Sequence, residues 1–551
     1  MDSIRMALAG RRRCGSLMVA ALGALTIGHA TLASSQTAAS WVSTRTHAHP
    51  TRSAVFREYL APNESVKVVI PLKLRNPEDL DSKVAALLTP GSPQFRQWLT
   101  HGQVLAEYAP TAAQARRVAD YLSQAGFTDV RIAAGNFLVS AQGSASVVRK
   151  AFNTELARFT RGSAVGIVNT TDAQVPVNLA DVVESVLGLQ TLDVPKPSQI
   201  SPQVQPLTPR AFARIYGTAA LPAPTSTVVG VITEGNMSPV TADLHTYEAS
   251  VGLISTTPTV DYFAGNSGDT SNLEEWDLDT QTITGITGAQ LGGLILYAMP
   301  SMSDADLTQN IHEIVTKNAA KVINGSLGIC EYFADMDGSL AADDSLLEVA
   351  VAQGQTFVFS TGDVGTGACA GVSTTASVQY PASSPYVIAV GGTTLTTYIT
   401  HNAGPSVFNY NGETGWPGSG GGASLYESMP TWQVGTVPVI APNGGRGLPD
   451  VAFDGDPNSG ALIYFNGVVS QVGGTSLAAP IFTAGWATVQ SAHGNSLGFP
   501  AASLYSIGAA NTNVFRDVTS GCNGTSSCAG VGWDPVTGLG SLIFSGLSSA
   551  L

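Results

Sequence analysis

A serine at the start of an apolar stretch is the first residue whose setting suggests chemistry. Ser476 follows the turn Gly473-Gly474-Thr475 and precedes an apolar run that predicts a helix to about residue 492. The positive end of a helix dipole favours negative charge that develops beside such a serine, which suits a nucleophile. Serine is also a common helix N-cap, so on local grounds nucleophile and cap both remain open.

Two carboxylates are spaced to share one face of another predicted helix. Glu275 and Asp279 lie four residues apart within the acidic segment 274–279. Such a pair repels itself when both groups are ionised, and it readily holds one shared proton in acid. A solvated acidic helix start is the commoner explanation of this segment taken alone.

Asp363 directly follows an apolar run that ends at Phe359, within the sequence Ser360-Thr361-Gly362-Asp363. A carboxyl at the carboxyl end of a parallel strand is well placed to act on a substrate. An ordinary turn aspartate fits the same position.

Oxygen ligands gather near the C-terminus. Asp517 and Asp534 supply two carboxylates, and the glycine-rich residues 530–532 expose backbone carbonyls. Only hard oxygen ligands are present, which suits Ca²⁺, although the pattern is not an EF-hand loop. A glycine-rich turn closed by a Cys522–Cys528 bridge is the alternative.

Apolar runs separated by helix-like stretches recur through residues 207–551 and would position these groups. The runs are Val228–Ile232, Leu294–Ala298, Lys321–Asn324, Thr356–Phe359 and Tyr386–Val390, and the helical stretches are about 240–251, 304–318 and 341–353. Continuous apolar strands alternating with helices predict an α/β domain with a mainly parallel sheet covered on both faces.

Residues from about 66 to 190 predict a smaller α+β domain without a concentrated set of catalytic residue types. Its predicted strands are Val66–Leu74, 129–133, 136–141 and 156–160, and its predicted helices are 78–88, 111–125 and 144–154. Helices that cross an antiparallel sheet give a ferredoxin-like layout. The proline-rich residues 191–206 predict an exposed linker.

The N-terminal residues 1–34 have the order of a secretory signal. Arg11-Arg12-Arg13 precedes an apolar run over 17–27, and small residues follow near Ala30 and Ala33. A membrane anchor is the alternative, but the run is shorter than the roughly 18–20 residues of a spanning helix. We therefore expect a secreted protein with no membrane attachment after export.

Four cysteines lie beyond that signal, at positions 330, 369, 522 and 528. Their spacing is not a CxxC metal pattern, and an oxidising compartment favours disulfides. Because Cys522 and Cys528 would close a short loop, Cys330–Cys369 is the expected second pair. Four free thiols are the alternative.

Charge excludes one class of partner. The 551 residues carry a net charge of -14, and only 12% of them are charged. All of the negative excess lies after residue 201, where six basic residues stand against 26 acidic ones, and the residues before it carry a net positive charge. A nucleic-acid binder needs a basic footprint, so no nucleic-acid partner is expected.

Four motifs together resemble those of the sedolisins. In chain order they are the Glu-x-x-x-Asp pair, the Ser-x-Gly-Asp strand end, the serine motif and the C-terminal Asp-Val…Gly-x-Gly-x-Asp. The sedolisins are the serine-carboxyl peptidases, and the chain looks closest to their bacterial pseudomonalisin and xanthomonalisin type. Residues 92–100, Ser-Pro-Gln-Phe-Arg-Gln-Trp-Leu-Thr, are similar to the family's prodomain. The resemblance implies a subtilisin-like peptidase domain at 207–551, a prodomain at 35–190 and a maturation site within 191–206.

The resemblance also implies a role for each candidate residue. Ser476 would be the nucleophile, Glu275 its general base, and Asp279 the group that orients Glu275 and shares its proton. Asp363, held protonated, would donate a hydrogen bond to the oxyanion beside the backbone N–H of Ser476. Subtilisin, which shares the fold, uses a histidine base and an asparagine. Carboxylates in the place of a histidine suit low pH, where histidine is charged.

By the same matching, one Ca²⁺ would be held by five residues: Asp517, Val518, Gly530, Gly532 and Asp534. The implied protein is a secreted, acid-acting endopeptidase, monomeric, that acts on proteins and peptides. Its own prodomain would be its intramolecular inhibitor, removed by autoprocessing.

Three other interpretations stay open. Gly494-Asn495-Ser496-Leu497-Gly498 matches the G-x-S-x-G elbow of lipases and esterases beside His493, but it follows the predicted helix instead of a strand. A tripeptidyl-peptidase of the same family and a catalytically silent secreted binding module are the remaining two.

The Gly-rich residues 418–422 lack the Lys of a phosphate loop. They predict a flexible loop near the substrate cleft.

Overall fold

The N-terminal domain places helices against antiparallel strands. The computed structural model describes residues 40–197, 207–372, 378–400, 407–440, 444–508, 513–525 and 527–551. The strands of this domain are β1 (Trp41–Ser43), β2 (Val55–Tyr59), β3 (Ser65–Pro71), β4 (Thr128–Ile132), β5 (Leu138–Ser144), β6 (Leu156–Arg161), β7 (Ala164–Asn169) and β8 (Gln174–Pro176). Its helices are α1 (Pro77–Leu88), α2 (His101–Glu107), α3 (Ala112–Ala125) and α4 (Ala145–Phe152). The predicted signal, 1–34, lies outside the described residues.

The order of elements follows the predicted ferredoxin-like layout, with one difference. Strands β3, β5 and β4 form an antiparallel sheet on which α3 and α4 pack. The strand that would complete the layout, β6, pairs with β2 and β7 instead. Helix α3 begins where the sequence predicts, because the Thr111 side chain accepts the backbone N–H of Gln114 in a capping box. It ends at Gly126, whose φ of 102° suits glycine.

The C-terminal domain is built on a large, mainly parallel sheet. Its strands are β9 (Lys196–Pro197), β10 (Val228–Glu234), β11 (Thr259–Asp261), β12 (Gly293–Met299), β13 (Val322–Gly325), β14 (Leu327–Cys330), β15 (Thr356–Ser360), β16 (Gln379–Tyr380), β17 (Val387–Thr400), β18 (Val407–Gly415), β19 (Gly422–Ser428), β20 (Gly445–Leu448), β21 (Val451–Asp454), β22 (Ala461–Phe465), β23 (Val468–Val472), β24 (Phe515–Arg516) and β25 (Ser541–Leu542). Its helices are α5 (Pro209–Ile215), α6 (Ser238–Ser250), α7 (Leu273–Thr287), α8 (Asp304–Lys317), α9 (Glu331–Asp337), α10 (Ser339–Ala352), α11 (Thr475–Ala492), α12 (Ala501–Gly508) and α13 (Phe544–Ala550).

The five strands that the sequence predicts lie side by side in this sheet. Their order is β12-β10-β13-β15-β17, with β11 beyond β12 and with β18 and β21 beside β17. Each pair is parallel except β17 with β18. All residues of β15 are buried, and successive side chains of a strand point to opposite faces, so both faces of the sheet are covered. The predicted α/β fold is therefore confirmed.

The predicted linker is less exposed than its proline content suggests. Leu192 and Pro195 are buried, and β9 pairs antiparallel with β14. The expectation of an exposed linker is therefore wrong for residues 191–197, because their backbone and apolar side chains find partners on the folded domains. Residues 198–206 lie outside the described residues.

Both expected disulfides form: Cys330 pairs with Cys369, and Cys522 pairs with Cys528. Within the described residues no helix has the length and apolar character needed to cross a membrane.

Many carboxyl groups of the C-terminal domain are buried. They include Glu234, Asp243, Glu248, Glu275, Asp277, Asp279, Asp304, Asp306, Glu331, Asp337, Asp343, Glu348, Asp450, Asp454, Asp456 and Asp534. Burial of an ionised carboxyl without a cationic partner is costly, and this domain has few cations to offer. Burial therefore raises the pKa of several of them well above the ordinary carboxyl range, among them Asp304, Asp343 and Asp454.

Candidate active site

Ser476 lies in the first turn of α11 and not at its cap. The N-cap position is Gly474, whose φ of 114° favours glycine, and no side chain caps the helix. Ser476 is fully buried, and its Oγ has no hydrogen-bond partner among the described residues. The N-cap explanation is therefore wrong, since the hydroxyl caps nothing and remains available for chemistry at a helix N-terminus.

Glu275 and Asp279 lie on α7, which packs against α11. Both residues are fully buried, so they are not part of a solvated helix start. Burial raises the pKa of both carboxyls well above the usual range, and the charge of Asp279 raises that of Glu275 further. The Ser476 hydroxyl lies close enough to oppose that rise for Glu275. Neither Glu275 oxygen makes a well-oriented hydrogen bond within the described chain.

Asp279 is held by a short chain of hydroxyl and amide groups. Ser326 Oγ donates to Asp279 Oδ1 at 2.7 Å, and Asn324 Nδ2 lies 3.0 Å from Ser326 Oγ. Thr483 of α11 in turn donates its hydroxyl to Asn324 Oδ1 at 3.0 Å. Sequence reasoning missed Ser326 and Asn324, although Asn324 ends a predicted apolar strand and Ser326 follows it, at the sheet edge where active groups gather.

Asp363 is tied to the same helix start through Thr475. The backbone N–H and the hydroxyl of Thr475 both donate to Asp363 Oδ1, at 2.7 and 2.8 Å. The Thr475 hydroxyl also accepts the backbone N–H of Gly362 at 2.9 Å. Asp363 Oδ2 is buried and finds no partner in the part of the chain that the structure describes. Burial raises the pKa of Asp363 to about 6.

The Gly-rich residues 418–422 hold the loop that carries Asp363. The backbone N–H of Gly420 donates to Gly362 O at 2.8 Å, and that of Gly365 donates to Gly418 O at 2.9 Å. A Cβ on Gly420 would lie 1.9 Å from Thr361 O, so glycine is required for this approach. The expectation of a flexible loop is wrong, because these backbones clamp each other in the interior.

The predicted calcium ligands come together at the C-terminal loop. Asp517 Oδ2 accepts the backbone N–H of Gly532 at 3.0 Å, and Asp534 Oδ2 accepts that of Gly530 at 3.2 Å. Val518 is adjacent to Asp517 on the same segment. Two carboxylates beside a carbonyl-bearing glycine loop are a donor set that fits Ca²⁺. No cluster of three or more His, Cys, Asp or Glu able to hold a metal occurs among the described residues, so such a site depends on backbone carbonyls.

The esterase-like elbow does not have the geometry of one. Helix α11 ends at Ala492, and residues 494–498 form the loop that follows it. Ser496 donates its hydroxyl to His493 O at 2.8 Å, while His493 Nε2 lies 3.1 Å from Ser548 O. A nucleophile elbow must follow a strand and open a helix, so the esterase interpretation fails.

Strand β9, which belongs to the segment joining the two domains, lies along the edge of this site. Lys196 and Pro197 pair antiparallel with Gly328 and Leu327, immediately after the Ser326 that binds Asp279. Peptides commonly bind proteins by adding a strand to a free sheet edge in this way.

Comparison with known proteins agrees with this arrangement. Residues 52–192 match the family described as Pro-kumamolisin, activation domain, and residues 263–526 match the Subtilase family. The crystal structure of Pseudomonas sedolisin, a serine-carboxyl proteinase complexed with two molecules of pseudo-iodotyrostatin, aligns with a TM-score of 0.58 and 42% identity. That alignment covers 63% of this chain and 98% of the solved one.

Curated relatives extend the likeness to nearly the whole chain. Sedolisin of Pseudomonas sp. (strain 101) is 40% identical over 549 residues, which cover 92% of each protein. Xanthomonalisin of Xanthomonas sp. (strain T-22) is 38% identical over 88% of this chain and 65% of its own length. With an activation domain ahead of a subtilase-like domain and with these relatives, the chain is an enzyme and belongs to the sedolisin family of serine-carboxyl peptidases.

Proposed function

We propose that this peptidase is a secreted endopeptidase that acts in acid, with Ser476 as nucleophile and Glu275 as general base. One observation carries the proposal. Among the described residues, a buried, unpartnered hydroxyl at a helix N-terminus lies beside a buried carboxyl pair, and Asp363, on the loop after β15, is hydrogen-bonded to Thr475 of the same helix turn. Nucleophile, base and oxyanion donor thus converge on the first turn of α11.

In the first step, Ser476 Oγ attacks the carbonyl carbon of the scissile bond, and its proton passes to Glu275. Asp279 shares that proton, and Ser326 fixes Asp279. The oxyanion that forms accepts hydrogen bonds from the backbone N–H of Ser476 and from protonated Asp363. Ser476, Glu275 and Asp279 are buried on helices, and Asp363 is held by two hydrogen bonds from Thr475, which favours preorganisation.

In the next step, Glu275 gives the proton to the leaving amine, the C–N bond breaks, and an ester of Ser476 remains. Water then attacks this ester and gives its proton to Glu275, which returns it to Ser476 as the carboxylic acid product leaves. A carboxyl pair that holds one proton performs both transfers in acid, where an imidazole would already be charged.

The oxyanion donor also favours acid. Asp363 can donate only while it is protonated, and its pKa is raised to about 6 by burial. Below that pH the group carries its proton, and above it the donor is lost. The proposed reaction therefore declines as the pH rises through about 6.

The N-terminal domain acts in this proposal as the intramolecular inhibitor. In the precursor Ser476, Glu275 and Asp279 are inaccessible to solvent, so a substrate cannot reach them. Strand β9 lies along β14 and runs toward Ser326, as a peptide substrate would. We place the autoprocessing site within 191–206, after β9.

Calcium would have a structural role. Asp517 and Asp534, with the carbonyls of Val518, Gly530 and Gly532, would hold one ion and cross-link two parts of the C-terminal loop. Nothing in the proposed reaction passes through the metal. Export is supported by the signal-like residues 1–34 and by the two disulfides.

The proposal is tested by acidifying the purified precursor and mapping the fragments it produces from a denatured protein substrate by mass spectrometry. We expect loss of the N-terminal domain followed by cleavage at internal bonds. Release of tripeptides alone would instead favour a tripeptidyl-peptidase. A Ser476→Ala precursor that processes itself at the wild-type rate would overturn the mechanism.

A further inference from the structure

Two sequence features that the proposed reaction leaves unused contact each other. One is the 92–100 segment of the N-terminal domain, and the other is the loop 494–498 that resembles an esterase elbow. Trp98 Nε1 donates a hydrogen bond to Ser496 O at 3.0 Å. These residues are 398 positions apart in the chain.

The indole of Trp98 rests on two glycines of the peptidase domain. A Cβ on Gly354 would lie 2.8 Å from Trp98 Cγ, and a Cβ on Gly498 would lie 2.1 Å from Trp98 Cζ2. No residue with a side chain fits either position without displacing the ring. We call the surface formed by Gly354, Ser496 and Gly498 the indole socket.

Neighbouring residues of the segment are also attached to the peptidase domain. Leu99 is buried, and its backbone N–H donates to Ala352 O at 2.8 Å. Arg96 Nη2 lies 3.3 Å from Ser503 Oγ on α12. The segment therefore binds through an aromatic side chain, a backbone hydrogen bond and a polar contact, as a recognised peptide does.

The socket is held in shape by contacts within the peptidase domain. Gly498 O accepts hydrogen bonds from Thr356 Oγ1 at 3.0 Å and from Gln490 Nε2 at 3.1 Å. Gln490 Oε1 accepts the backbone N–H of Leu497 at 3.1 Å. None of these bonds involves Trp98, so the loop that forms the socket is also held by hydrogen bonds of its own.

The socket is remote from the catalytic centre. Helix α11 carries Ser476 in its first turn and ends at Ala492, next to the socket loop. Eighteen residues of α-helix span about 27 Å. An occupant of the socket therefore does not touch the groups that react.

We propose that the indole socket is a second binding site of the peptidase domain, whose occupant is the Trp98 segment of its own N-terminal domain. It holds that domain in place independently of β9, so the inhibitor stays bound after the linker is cut. That the bound domain delays activation of the enzyme rests on the proposed function. The binding of the Trp98 segment in the indole socket does not.

The test uses the full chain carrying Ser476→Ala, with the recognition sequence of a specific protease introduced within 198–206. After cleavage by that added protease and dilution, size-exclusion chromatography follows how fast the N-terminal fragment separates from the peptidase domain. We expect the N-terminal fragment with Trp98→Ala to separate at least about tenfold faster than the parent fragment, in line with the loss of an aromatic anchor. Trp98→Phe, which keeps a ring but loses the N–H donor, should fall between the two, and it serves if Trp98→Ala does not fold.

Two substitutions on the other side of the contact provide the matched control. Gly498 and Gly494 both have φ of +64°, but a Cβ on Gly494 would meet no described atom within 4 Å. We expect Gly498→Ala to speed separation while Gly494→Ala, which carries the same backbone strain, does not. In the Trp98→Ala background, Gly498→Ala should add little.

Equal separation rates for Trp98→Ala and the parent, or equal effects of the two glycine substitutions, would overturn the proposal. Because an added protease cuts the linker, neither result depends on autoprocessing. Acidification of the wild-type precursor tests autoprocessing separately.

Discussion

Thr475 donates both its backbone N–H and its hydroxyl to a single oxygen of Asp363. The two bonds leave the other oxygen of Asp363 buried and without a partner among the described residues, and they tie the loop of Asp363 to the helix turn that carries Ser476. An asparagine at this position would place its carbonyl oxygen on Thr475 and its N–H₂ group where the protonated oxygen now lies.

Asp363→Asn is therefore expected to retain much more activity than Asp363→Ala, which should lose about 10²- to 10³-fold in kcat as a lost oxyanion donor does. Because the amide does not titrate, the decline near pH 6 should shift upward in the asparagine variant. The pH profiles of kcat for both variants and the wild type measure this. An asparagine variant as inactive as the alanine variant would contradict the role of Asp363.

Glu275→Gln is expected to lower kcat by about 10³-fold or more, since the amide cannot accept the proton of Ser476. Glu274→Gln is the matched control: it removes a neighbouring carboxyl that contacts Ser470 and should change kcat little. Because a variant of low activity does not process itself, both precursors are cut in the linker by an added protease before kcat is measured. Similar losses in the two variants would show that charge on the helix, and not a base at position 275, is responsible.

Ser326→Ala is expected to lower kcat by about 10- to 100-fold while leaving KM nearly unchanged, because Asp279 loses the hydroxyl that positions it. The same variant should alter the pH profile, since the hydrogen bond from Ser326 opposes the raised pKa of Asp279. Ser326→Thr keeps the hydroxyl and should recover part of the activity. A changed KM with an unchanged profile would mean that Ser326 acts on substrate binding.

The precursor should unfold more easily at neutral pH than in acid. Burial raises the pKa of Asp304 and Asp343 well above the usual range and that of Asp337 to about 6. The folded state therefore binds more protons than the unfolded chain. The stabilisation that these protons provide is complete below about pH 4 and is lost as the pH rises through the pKa values of the folded state. We expect Tm of the Ser476→Ala precursor to fall by several degrees between pH 4 and pH 8, and less so in the Asp343→Asn background.

Calcium chelation should lower Tm of the peptidase if the C-terminal loop holds the ion. Asp534→Asn should lower Tm similarly and make it insensitive to added calcium, because one of the two carboxylate ligands is gone. Asp269→Asn, which removes an exposed carboxylate elsewhere, is the control and should leave the calcium response intact. Unchanged Tm on chelation in the wild type would argue against the site.

The sequence predicted the elements that carry the site because their patterns are local. The apolar runs at Val228–Ile232 and Thr356–Phe359 are strands of the central sheet, and Thr111 caps its helix with the expected box. The resemblance to the sedolisins, carried by four motifs together, implied which side chains act together.

Contacts between distant segments could not be predicted in the same way. Ser326 reaches Asp279 from 47 residues away, and Thr475 reaches Asp363 from 112. The Gly-rich residues 418–422 predicted a flexible loop, because composition does not reveal that two backbones will pack against each other. The pairing of β9 with β14 was hidden for the same reason, since prolines usually indicate an exposed segment.

The buried carboxyls also affect how the native protein migrates in an electric field. The sequence gives an isoelectric point of about 4.9 by counting every carboxyl as if it were in water. Groups such as Asp277 and Glu348, whose pKa burial raises to about 9, remain uncharged at that pH. The folded protein should thus focus at a higher pH than the same chain in urea, and the difference between the two bands counts the protons held in its interior.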